Sequence, residues 1–93
     1  MTIGLLTLEL SIPDARSLKD KRRPVRGLKD KIRHRWNASV AEVGDLEMWT
    51  EATLAVVLVA NDHAYVAERL QAIVEFAHGA VDALVTETRV EFL

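Results

Sequence analysis

Residues 16–35 hold ten of the chain's twelve Lys and Arg side chains and only two acids, Asp20 and Asp30, a net of +8. Flexible cations at this density suit one chemistry above others. They replace the condensed counterions of a polyanion, one phosphate at a time, and release those ions to solvent. Drawn as a helix at about 100° per residue, Lys19, Arg22, Arg26 and Arg33 form a stripe beside the apolar side, with Arg23 and His34 outermost and Lys31 and Arg35 on the opposite flank. The candidate phosphate contacts are therefore Lys19, Arg22, Arg23, Arg26, Lys29 and Arg33, and one partner they suit is RNA. The same face would also meet an acidic protein, or the carboxylates of Glu42, Asp45, Glu47 and Glu51 from its own chain. The remaining residues set two cations, Arg69 and Arg89, against twelve acids, a net of −10, so the overall −2 averages two opposite fields.

Other chemistries find little support. His34, His63 and His78 have no partner at helical metal-binding spacing. The four glycines, at 4, 27, 44 and 79, are too dispersed to cradle a phosphate, and no nucleophile-elbow or P-loop motif occurs. Glu42 and Asp45 are close enough in sequence for an acid–base pair, but surface carboxylates are the commoner outcome. The expectation is a non-enzymatic protein without metal or cofactor. Trp36 and Trp49 read as core plugs. Lys21 projects within the apolar stripe of its helix; it either snorkels past the core edge or pairs with Glu42.

The bulk numbers frame these candidates. Ninety-three residues make one domain, 1–93, with about half its residues apolar and 28% charged, a globular balance. There is no cysteine, which excludes disulfides and thiolate chemistry. The N-terminal run lacks a basic region and is interrupted by Glu9, unlike a signal peptide. The longest uncharged segment, ATLAVVLVAN, has ten residues and is too short for a membrane span. The expected location is the cytoplasm, with no membrane partner.

The elements that must position the basic stretch follow from periodicity. Residues 2–12 alternate, with Leu6, Leu8, Leu10 and Ile12 on one face. Ser17 and Asp20 have the spacing of a helix start. Leu18, Val25, Leu28, Ile32 and Trp36 then share one helical side over 18–36, although Pro24 predicts a later start or a kink. A short strand at 38–43 and a longer one at 50–60, apolar on both faces, come next. Asn61-Asp62 caps a helix over 62–78, with Gly79 placed for a C-terminal cap. Residues 83–92 alternate again, with Leu84, Thr86, Thr88, Val90 and Phe92 on one face and Val85, Glu87, Arg89 and Glu91 on the other.

The order β-α-β-β-α-β with right-handed crossovers predicts an α+β, ferredoxin-like two-layer sandwich: a four-stranded antiparallel sheet with both helices on one face. The other face then leaves Ile3, Leu5, Ala55, Val57 and Val59 uncovered. That apolar patch predicts a homodimer joined at the sheet. Base stacking on the sheet, as in RRM domains, requires aromatics on the two middle strands, and residues 2–12 and 50–60 contain none. A small-ligand sensor on the same fold rests on analogy alone.

With these elements in place, three segments become recognisable: Ser17-Leu18-Lys19-Asp20-Lys21-Arg22, then Trp36-Asn37-Ala38-Ser39-Val40-Ala41-Glu42-Val43, and Trp49 before the third strand. Over essentially its whole length the chain resembles the YlxP-like family of small bacterial proteins, a domain of unknown function. The family often has Phe where Trp36 stands. The resemblance implies a ferredoxin-like fold and no catalytic residue to carry over. Its members are often encoded beside translation initiation and ribosome maturation genes, which points towards ribosomal RNA.

Overall fold

The alternation at the N-terminus produces strand β1, Thr2–Ser11, which buries every second residue from Gly4 to Leu10. Helix α1, Leu18–Trp36, begins where Ser17 accepts the Asp20 N–H at 3.1 Å, while Asp20 Oδ2 accepts the Arg16 N–H at 3.0 Å. This reciprocal cap satisfies two backbone donors and starts the helix upstream of Pro24, which sits inside it. Asn37, in the left-handed conformation at φ 52°, ends it. Strand β2, Ser39–Gly44, and strand β3, Glu51–Ala60, form a hairpin. Helix α2, His63–His78, is capped by Asp62, whose carboxylate accepts the Tyr65 N–H at 2.9 Å. Strand β4, Leu84–Phe92, completes the order. This computed structural model describes residues 1–80 and 82–93.

The sheet runs β2-β3-β1-β4 with every neighbouring pair antiparallel, so β1 and β3 are the middle pair of a ferredoxin-like sandwich. Leu6, Leu8 and Leu10 of β1 and Ala52, Leu54 and Val56 of β3 are buried beneath the helices. Val25, Leu28, Ile32 and Trp36 of α1 and Val66, Leu70, Ile73 and Ala77 of α2 close the core from above. Each fully buried aliphatic side chain of this kind contributes roughly 1.5–3 kcal/mol. Gly4 lies directly under α2: a Cβ there would stand 2.6 Å from Val66 Cγ1 and 2.8 Å from Leu70 Cδ1. Its bare backbone lets the helix pack closely on β1.

Two sequence expectations change in the folded chain. Trp49 is not a core plug; it is 52% exposed on the β2–β3 loop. The inner side of that loop is occupied by the Lys21 ammonium, which holds the Asp45 and Glu51 carbonyls and leaves the indole outside. A register shift against Glu9 and Leu10 breaks the alternation of β4: Val85 pairs with Leu10 and packs on the core, while Leu84 is exposed. Gly79 is the C-terminal cap of α2, as its position predicts, in the right-handed region at φ −79° with its N–H on the Phe76 carbonyl at 3.1 Å.

Candidate nucleic-acid interface

Helix α1 is amphipathic in an unusual way. Its inner side is buried through Val25, Leu28, Ile32 and Trp36, and its outer side carries cations with few counterions. Lys19, Arg22, Arg23 and Arg26 line one shallow depression of about 490 Å³, together with Gly27 and Asp30. Among the described residues none of these four cations has a carboxylate within ion-pair distance. They are held a turn apart by a helix pinned at its start by the Ser17–Asp20 cap, so their charges are concentrated without being neutralised.

The other two predicted phosphate ligands stand apart from this group. Lys29 is half-buried at the edge of the apolar stripe and outside the depression. Arg33 Nη2 pairs with Asp30 Oδ1 at 3.3 Å, both side chains exposed. An exposed i,i+3 pair of this kind is worth only a few tenths of a kcal/mol and yields readily to a stronger anion. Arg35 is engaged differently: its guanidinium lies 4.8 Å from the Trp36 ring centre and 5.3 Å from that of Phe76.

Lys21 does not snorkel. It is 3% exposed, and its Nζ stands 3.0 Å from Glu42 Oε2. It also donates to the Asp45 carbonyl at 2.9 Å and the Glu51 carbonyl at 3.1 Å. The approach to Oε2 is short but off the direction of a hydrogen bond, so Coulomb attraction holds the carboxylate while the carbonyls take the directed bonds. This lysine belongs to the architecture: it ties α1 to the β2–β3 hairpin and is withdrawn from anything outside.

A second depression runs between the two helices, and no feature of the sequence signalled it. It measures about 650 Å³, and its apolar floor includes Pro24, Leu28, Phe76 and Ala83. Arg23 and Lys31 stand on the α1 side, Glu75 and Asp82 on the other. Opposite charges face one another across it without forming an ion pair among the described residues.

The open side of the sheet is bare. Ile3 lies opposite Val59 and Leu5 opposite Val57 across the β1–β3 ladder, with Ala55 opposite Thr7. Val59 is 63% exposed, and Ile3, Leu5, Ala55 and Val57 are partly so. On β4 the same face is charged, through Glu87, Arg89 and Glu91. The Thr53 hydroxyl donates to the Glu9 carboxylate at one end of the patch.

His63 opens α2, where its ring lies 4.2 Å from that of Phe92, and His78 ends it, so the two stand at opposite ends of one helix. Among the described residues no group of three or more His, Asp or Glu side chains is placed to hold a metal ion. Nor is any described helix long and apolar enough to cross a membrane.

Fold and surface together define a small ferredoxin-like module that presents one cationic helix face and one uncovered sheet face. Residues 3–90 match the family described as "Protein of unknown function (DUF503)", and the chain belongs to that family. It is similar to the "Uncharacterized protein YlxP" of Bacillus subtilis (strain 168), with 27% identity over 90 residues that cover 97% of this chain and 98% of that protein.

Proposed function

We propose that the protein is a cytoplasmic, non-enzymatic module that binds RNA, free or in a ribosomal particle, through the outer face of α1, and that it does so as a homodimer joined at the open sheet face. One observation carries this reading: Lys19, Arg22, Arg23 and Arg26 share one depression, and among the described residues none of the four is paired with a carboxylate. A merely solvated helix face would more often interleave its charges with acids. Cations placed this way recognise the phosphate backbone and carry little sequence preference. The lack of aromatics on the middle strands keeps bases off the sheet and leaves that face to protein association. A second copy suits it because the apolar patch and its charged β4 margin repeat identically on both partners, and a dimer would place two basic helices on one RNA.

The test is a titration of structured RNA and of polyglutamate at two salt concentrations. Tighter binding of RNA, weakened by salt and abolished when Arg22, Arg23 and Arg26 are all changed to Glu, supports the reading. Preference for polyglutamate assigns the helix to an acidic protein partner instead. Equal, weak binding to both reduces it to nonspecific charge.

A further inference from the structure

Gly27 stands in the middle of α1, where glycine is the poorest helix former after proline. Its φ is not positive, and a Cβ at this position would meet nothing within 4 Å. Neither backbone conformation nor the space at Cβ calls for glycine here within the monomer. Gly27 is also the one position, with Arg23, that lines both the cationic depression and the groove between α1 and α2. Arg23, Gly27 and Lys31 are spaced by four residues along one ridge of the helix, so the glycine is a low saddle between two cations.

What passes over that saddle is constrained by the far wall. Glu75 and Asp82 repel a phosphate but accept hydrogen bonds from amino and imino groups. The floor of Pro24, Leu28 and Phe76 is apolar. A nucleobase is flat, neutral and rich in N–H donors, and matches both surfaces. We propose, building on the RNA-binding reading above, that a single RNA strand crosses α1 at Gly27, its phosphates on Arg23, Arg26 and Lys31 and one unpaired base seated in the groove between the helices. A duplex, whose bases are already paired, cannot fill that groove.

Fluorescence anisotropy with a short labelled single-stranded RNA, and with the same strand in a blunt duplex, tests this on the wild type, Gly27→Ala, Gly27→Leu and the Arg22, Arg23, Arg26 to Glu triple variant. The expected result is a preference for the single strand, weakened about tenfold or more by Gly27→Leu, with helical circular dichroism and thermal midpoint undiminished. Gly27→Ala should weaken binding less, in the same direction. If Gly27→Leu binds the single strand as the wild type does while the triple variant does not bind it, the crossing is overturned and the RNA-binding reading stands. If the triple variant also binds normally, both fall. Equal affinity for single strand and duplex removes the base from the groove.

Discussion

The Lys21 ammonium stands 3.0 Å from the Glu42 carboxylate while donating to the main-chain carbonyls of Asp45 and Glu51. One side chain of α1 thereby holds the end of β2, the loop after it and the start of β3. Removing it by Lys21→Met leaves a partly buried carboxylate and two carbonyls without their partner, and should destabilise the fold by about 3 kcal/mol. Glu42→Gln keeps both carbonyl bonds and should cost about 1–2 kcal/mol. Urea denaturation measures both. A Lys21→Met protein as stable as the wild type would show that the anchor contributes nothing.

Two glycines should respond to alanine with opposite signs. Gly4→Ala places a methyl against Val66 and Leu70 and should destabilise by about 1–3 kcal/mol through overpacking. Gly27→Ala meets open space and should stabilise by up to about 1 kcal/mol. Thermal unfolding of the pair, read against the wild type, checks both signs in one experiment.

The cations of α1 should reveal themselves in salt dependence before they do so in affinity at any one salt. Lys19→Ala, Arg22→Ala and Arg26→Ala each remove one cation from the phosphate backbone, and each should reduce the slope of log affinity against log salt by about 0.7 for a single strand. The weakening should be uniform across RNA sequences, because backbone recognition carries no base information. A slope unchanged by all three substitutions would place the binding surface elsewhere.

The sheet-face dimer is tested at Val59, which is largely exposed in the monomer and directly opposite Ile3. Val59→Asp should leave stability nearly unchanged while lowering the mass seen by light scattering from that of a dimer to 10.4 kDa. A wild-type protein that scatters as 10.4 kDa at high concentration refutes the dimer directly.

Much of this arrangement is legible in the unfolded chain. The period-2 run around Leu6 and the helical stripe from Leu18 to Trp36 group the side chains that are buried together, and the two-faced run around Leu54 marks a middle strand, because side-chain direction follows backbone geometry. The caps at Ser17 and Asp62 are local hydrogen bonds written into three-residue spacings. Trp49 escapes such reasoning for a complementary cause. Whether a loop aromatic turns inward depends on what else fills the inside, and Lys21, twenty-eight positions earlier, fills it. The face change at Val85 arises from a register shift against Glu9 and Leu10, a property of strand pairing that no pattern within residues 83–92 reveals.

The amino-acid order alone determined the elements, the sandwich they form, and the concentration of positive charge on one helix, since each depends on spacing within a short stretch of chain. Tertiary structure alone decided which cations stay unpaired, that Lys21 is withdrawn into the architecture, and that a groove with a glycine saddle opens between α1 and α2. The physical reason is distance. Neutralisation of a charge and the walls of a cavity depend on groups far apart in the chain, and only packing the two helices on one sheet brings those groups together or keeps them apart.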